Sequence, residues 1–463
     1  MFPLALVLLV ASPEQQIRQT VRAGTGVVQL PPGIVEISSE IELPSDAHDL
    51  EIRGAGSGTT LRASDRFSGR AIFIARAGKN LRFTNFVIDG NREKLARPAG
   101  LPPSDVPFSR FTANNGLLVE NVQGIGVSKV QFRNVAGFAV LVSHSSKVQI
   151  EGAGIEDSGS QSLAKRNNAT GGILLEEGTT NFEVLNCNLK NIRGNGIWTH
   201  SLYTSPRNSQ GRIAGNRFLN VGRDAIQIGH ATHVRVEENE GEQIGYPIEI
   251  VDVEHHAIPV GIDTSGNTEQ CQYLHNRFEE VNGKCIDLDG FHDGEIRGNT
   301  CRNTQSPEAY KFGSYAIVMN NTNPDMRSRN IHIEDNVVDG SLFGGIFVIG
   351  TGNTIAHNLL SRLNLAHCET CYFDRTEPEL LKSGIYLGKG AERADIARDN
   401  VIEDNRISGY KMSSRCIGAA PGVSLNKNTV RRNNCSDEEI LSAHVTREGS
   451  RSSMEPRSSA FEP

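Results

Sequence analysis

Lys284-Cys285-Ile286-Asp287-Leu288-Asp289 is the stretch on which the fold turns. Ile286 and Leu288 alternate with Asp287 and Asp289, the period-two pattern of a strand with one face inward and one outward. Two carboxylates then stand side by side on the outer face, and Gly290, Phe291, His292 and Asp293 follow. The same pattern, a small residue, an aliphatic one and then alternation, recurs along the chain. Its copies begin at Leu117, Val140, Ile173, Ile197, Ile226, Ile248, Ile286, Ile317, Ile346 and Ile385. A second marker stands between them, an Asn at 216, 239, 276, 299, 336, 358 and 405. The steps 216→239 and 276→299 are 23 residues, 336→358 is 22, and 239→276 and 299→336 are 37. A base period near 22 with longer steps in some repeats is a solenoid with insertions.

Short strands, many turns and no helical periodicity predict an all-β chain folded as a right-handed parallel β-helix, with about three strands in each turn. Composition agrees, since Gly is plentiful at 47 and aromatics are sparse at 6%. The in-register Asn column predicts a left-handed turn residue whose amides bond from rung to rung. Leu30-Pro31-Pro32-Gly33-Ile34-Val35-Glu36-Ile37, with Ile52-Arg53-Gly54-Ala55-Gly56-Ser57-Gly58-Thr59-Thr60-Leu61, resembles the opening segment of the pectin-lyase-like superfamily. The resemblance covers residues 20–435 and implies the β-helix fold. It implies a carbohydrate-related role but no particular reaction, because hydrolases, lyases, epimerases and non-enzymes share that fold.

The ends and the charge bound the setting. Residues 1–11 are apolar, too short to span a bilayer, and read as the core of a secretory signal. No other stretch is a membrane span. The expectation is a secreted or periplasmic protein. All eight Cys lie at or after Cys187, and export would pair some of them. Cys368 and Cys371 lack a second pair at zinc-finger spacing, which favours a local disulfide or free thiols. Residues 436–463 are rich in Ser, Glu and Arg and read as a disordered tail. The net charge of −7, with no basic patch interleaved with aromatics, argues against nucleic acid.

Aligning the recurring strand by its inward residue sets the outward residues in two columns. In the middle rungs these are Trp198/His200, Gln227/Gly229, Glu249/Val251 and Asp287/Asp289. His230 and Asp252 fall just past their strands, as do His292 and Asp293. Insertions at 203–210, 253–270, 306–313 and 368–382 would wall a groove over these polar rungs. Asp263 lies in the second of these insertions. Neighbouring rungs are about 4.8 Å apart, and alternate residues of one strand about 6.7 Å. Glu249, Asp287 and Asp289 therefore sit at separations that glycosidases use. Carboxylates so close do not all ionise alike, and one retains a proton.

These columns predict a glycoside hydrolase. Asp287, Asp289 and Glu249 share the acid, base or nucleophile roles, and His292, His200 and His230 position substrate or tune them. Trp198 and Tyr203 contact sugar rings, with Gln227, Asp252 and Asp293 completing substrate binding. No cofactor is expected, although Glu249, Asp287 and Asp289 form a set suited to Ca²⁺. His200, His230, Glu249 and Asp252 are a second candidate set, for a transition metal, but no His pair at i, i+4 supports them. Asp224 reads as a turn residue. The alternatives are a lyase or uronate epimerase, with Lys284, Lys311 or His as base, and a non-catalytic carbohydrate-binding solenoid. The polygalacturonase signatures and the Asp-Pro-His-Glu of mannuronan epimerases are absent, so no active-site residue carries over by motif.

Overall fold

The computed structural model describes residues 11–437, apart from 96–99, 163–165, 168, 253–257, 323–325, 370–376 and 391–392. The apolar residues 1–10 and the tail from 438 lie outside the described residues.

The repeat folds into a right-handed parallel β-helix. Each turn runs through three ladders. In the turn that carries the quoted stretch, the chain passes along Lys284–Asp289, then Phe291–His292 and Gly294–Arg297, then Thr300–Arg302. Every strand pairing within the ladders is parallel. The long strand Thr59–Ala75 joins the first and third ladders by pairing with both Val87–Asp89 and Asn115–Glu120. Helix Pro13–Val21 closes the N-terminal end. Ser12 and Gln15 form its capping box, and Ile17 and Val21 join the core.

The interior is a stack of like residues. Ile197, Ile226, Ile262, Ile286, Ile317, Ile346 and Ile385 follow one another in register with no exposed surface. The Asn marker is a second stack. Nδ2 of each of Asn216, Asn239, Asn276, Asn299, Asn336, Asn358 and Asn405 donates to Oδ1 of the next Asn at 2.9–3.0 Å, the last reaching Asn433. The left-handed residue is not the Asn, as expected, but the one before it: Gly215, Glu238, His275, Gly298, Asp335, His357 and Asp404 have positive φ. That bend turns the Asn inward, where its amide is shielded from water and its lone pairs must be met by the next rung.

One rung differs from the sequence alignment. Ile248–Ile250 is a short 3-10 turn, and the strand of that rung is Val260–Ser265. The 3-10 turn therefore lies in an insertion before the strand, not in a strand that an insertion follows. Pro247 lacks the N–H that a ladder strand would donate there.

The disulfide Cys285–Cys301 ties the first ladder to the third within the quoted turn, and Cys416–Cys435 closes a later one. Cys368 is disulfide-bonded, while Cys187 and Cys271 are buried thiols. Among the described residues, no helix is long and apolar enough to cross a membrane.

Candidate active site

The outer face of the first ladder brings Gln227, Asp263 and Asp287 into one column as successive register partners. Trp198 precedes them and Val318 follows. Glu249 is therefore not in the column, and Asp263 occupies the place expected for it. Asp289 is two residues along from Asp287, on the same face. Asp287 and Asp289 read from the sequence as carboxylates on an outer face, yet Gln227, Asp263, Asp287 and Asp289 are only 5–8% exposed. Insertions on both sides of the ladder enclose them. On one side Tyr246 donates its hydroxyl to the carbonyl of Ala309 at 2.7 Å, joining the loop that precedes Val260–Ser265 to the loop that precedes Ile317–Asn320, across the Lys284–Asp289 rung between them. On the other side the backbone N–H and the hydroxyl of Thr322 donate to Asp289 at 2.8 and 2.9 Å, and Arg393 holds the Thr322 carbonyl.

A chain of polar contacts runs across the rungs. Asn195 Nδ2 donates to Gln227 Oε1 at 2.5 Å, and Gln227 Nε2 donates to Asp263 Oδ2 at 2.7 Å. Lys284 Nζ is ion-paired with Asp287 Oδ2. Oδ1 of Asp287 is buried and has no hydrogen-bond partner. Asp224 enters the cluster from the corner before its strand, beside Arg223 at 3.4 Å.

Four carboxyl groups share little cationic charge, so their acidities separate. Burial raises Asp263 well above the usual carboxylate range; Asp224 and Asp287 add to the rise and Lys284 opposes it. Burial raises Asp224 to about 6, against Arg223 and with Asp287. Burial likewise takes Asp289 to about 6, against the hydrogen bonds from Thr322. For Lys284, burial works against the ammonium, but Asp287, Asp263 and Asp289 more than reverse it and its pKa is raised. The result is a proton-holding Asp263 beside an Asp287 salt-bridged to a protonated lysine.

The remaining residues singled out from the sequence are spread over several environments. Trp198 is covered by Phe108, 4.9 Å between ring centroids. Phe108 belongs to the short helix Phe108–Phe111, inserted before the first-ladder strand Asn115–Glu120. His200 packs against the same two rings, and burial, with His230 nearby, lowers its pKa to about 4. His230 lies at the corner after its strand, under the exposed ring of Tyr203 at 3.9 Å. Burial, then Arg207, takes it to about 4. Asp252 is pinned by Arg166 at 3.0 Å and Arg223 at 3.4 Å, fastening two insertions to the rung of Asp224. His292 is not in the Asp287 column. It belongs to the second ladder, in register with Glu269, and its two ring nitrogens meet Asp293 and Asn267. Asp293 also meets Arg329 and Asn330 on that face.

A family model described as a right-handed beta helix region matches residues 104–268 and 206–360, together more than half of the chain. The chain belongs to the right-handed β-helix family. No curated protein matches it. Solved structures share the fold at low identity. DFA-IIIase from Arthrobacter chlorophenolicus A6, in complex with DFA-III, is 14% identical with a TM-score of 0.50, covering 88% of each chain. The A-module of the mannuronan C-5 epimerase AlgE4 from Azotobacter vinelandii is 12% identical with a TM-score of 0.52, covering 92% of this chain and 94% of that one. PfbA, a surface adhesin of Streptococcus pneumoniae, is 12% identical with a TM-score of 0.50, covering 76% and 85%.

In this β-helix protein the sequence alignment missed Asp263 and gave Asp224 only a turn. A signal for Asp263 was present. Gly261-Ile262-Asp263 repeats the small residue, Ile and polar residue of Ala225-Ile226-Gln227 and Cys285-Ile286-Asp287. Pro247-Ile248 lacks the small residue. Asp224 gave no such signal, because its approach to Asp287 depends on how the corner folds.

Proposed function

We propose that this β-helix protein cleaves a glycosidic bond in a poly- or oligosaccharide. The single observation that carries this reading is the register pair Asp263 and Asp287, one carboxyl holding a proton and the other ion-paired to Lys284. In the proposed reaction Asp263 protonates the glycosidic oxygen as general acid. Oδ1 of Asp287, free of hydrogen bonds, attacks the anomeric carbon while Lys284 holds Oδ2. The glycosyl–Asp287 ester is then released by water, which the deprotonated Asp263 activates. Adjacent strands lie about 4.8 Å apart. That approaches the carboxyl separation of about 5–5.5 Å in retaining enzymes, so the proposed outcome is retention. Gln227 orients the acid, and the exposed Tyr203 is an aromatic surface for a sugar ring. Lys284 supplies the positive charge that Ca²⁺ would bring to these carboxylates. The disulfides and the apolar residues 1–11 support export. Sugar-directed enzymes among proteins of the same fold support a carbohydrate substrate.

The Lys284 ammonium beside Asp287 favours one second reading, a lyase or epimerase in which Lys284 neutralises a uronate carboxylate. Its raised pKa makes it a poor base. A polysaccharide panel assayed for reducing ends and for the ultraviolet absorbance of an unsaturated product separates the two. Reducing ends without that absorbance, lost in Asp263→Asn, support the hydrolase. The absorbance, or uronate inversion detected by NMR, overturns it.

A further inference from the structure

A second group of chemistry-bearing side chains lies at the corner between the first and second ladders, separate from the Asp263 column. Glu176 ends the strand Gly171–Glu176, Glu177 follows it with positive φ, and His200 ends the next strand in register with Glu176. One donor atom from each of the three lies within 4.8 Å of the others. The strand register brings Glu176 and His200 to the same face of neighbouring rungs, and the left-handed corner residue Glu177 adds the third donor.

The group is short of partners. The Glu177 side chain has no exposed surface, and its Oε2 has no hydrogen-bond partner. Nδ1 of His200 is also buried and unpartnered, 4.0 Å from Glu177 Oε1. Glu177 Oε1 accepts from the backbone N–H of Leu202 at 2.9 Å. Both oxygens of Glu176 accept backbone N–H groups, from Ser109 at 2.7 Å and Phe108 at 2.9 Å. A carboxylate oxygen has more than one lone pair, so these bonds leave Glu176 able to ligate. Among the described residues, no Lys or Arg is ion-paired with either glutamate. Two adjacent buried carboxylates without a cation carry a heavy desolvation cost.

We propose that Glu176, Glu177 and His200 bind one divalent transition metal ion such as Zn²⁺, Co²⁺ or Mn²⁺. Two carboxylates and an imidazole suit these borderline cations. Ca²⁺ and Mg²⁺ take all-oxygen sets, and the His200 nitrogen disfavours them. Three protein ligands leave further coordination positions for water. The donors need to draw together only modestly to reach metal–ligand distances of about 2.0–2.2 Å. The ion would lock the Phe108–Phe111 segment over Trp198, because Glu176 already holds that segment by its first two amides.

The test uses the whole protein, stripped with a chelator and then loaded with Zn²⁺ or Co²⁺. One retained equivalent of zinc by elemental analysis, visible Co²⁺ ligand-field absorption and a higher melting temperature with Zn²⁺ are expected. Glu177→Gln and His200→Gln, checked for folding by circular dichroism, should each weaken retention more than about tenfold. An anomalous scattering peak between the three residues in a zinc-soaked crystal provides the same test without a variant. No retained metal, retention unchanged in both folded variants, a peak elsewhere, or equal affinity for Ca²⁺ overturns the assignment.

Discussion

Asp263 and Asp287 are register partners on adjacent rungs of the first ladder, and their side chains share the same outer face. Burial leaves Asp263 protonated, while Lys284 pairs with Asp287. Two identical side chains thus stand in different electrostatic surroundings.

Replacing Asp263 with Asn should remove the acid while keeping the amide of Gln227 satisfied. Activity on the responsive polysaccharide should fall by about 10²–10⁴-fold, the usual contribution of a general acid. Melting temperature should hold or rise, because Asn matches the neutral carboxyl and cannot ionise. Glu249→Gln, on its 3-10 turn outside the column, is the control that should retain activity. A Glu249 variant as inactive as the Asp263 variant would contradict this assignment.

The Lys284–Asp287 pair should be strongly coupled. Asp287→Asn leaves a nearly buried ammonium without its counter-charge, a loss of about 3–5 kcal/mol. Lys284→Met leaves the carboxylate in the same position. The double variant Lys284→Met/Asp287→Asn should lose less than the two single losses together, as read by urea denaturation in a double-mutant cycle. Additive losses would mean that the pair contributes nothing as a pair.

Asp289 should make stability depend on pH. Its carboxyl titrates at about 6 in the folded protein, raised by burial, and at about 3.9 when unfolded. Below about pH 4 both states are protonated and this group carries no penalty. As pH rises toward 6 the unfolded state releases its proton first, so folding loses on the order of 2 kcal/mol, and the loss is complete above the folded value. Asp289→Asn should therefore gain stability relative to the parent between pH 4 and pH 7, by denaturant midpoints at each pH. A difference independent of pH would remove Asp289 from the titrating set.

The Asn stack should be sensitive at a single rung. Asn276 accepts the backbone N–H and Nδ2 of Asn239 and donates to Val236 O and Asn299 Oδ1. Asn276→Leu would strand buried donors and an acceptor at about 1–3 kcal/mol each. Equilibrium unfolding should show a loss well beyond that of an exposed substitution such as Asn80→Ala. Equal losses would show that the ladder adds no more than surface contacts do.

The sequence by itself determined the solenoid. Alternation sends Ile197, Ile226, Ile286 and Ile317 inward, and the Asn spacing gives the period, because both are local patterns that every turn repeats. The same alternation placed Gln227, Asp287 and Asp289 on the outer face. Tertiary structure decided which segment fills the rung between them. Ile248-Glu249-Ile250 and Ile262-Asp263-Thr264 both alternate, and only ladder pairing with Ile226 and Ile286 selects the second. It also decided the burial of the carboxylates, since the loops that cover them carry no periodic signal. The entry of Asp224, the cover of Phe108 over Trp198 and the meeting of Glu177 with His200 have the same origin. Each joins residues far apart in the chain through corners and insertions, whose paths depend on packing rather than on a local repeat.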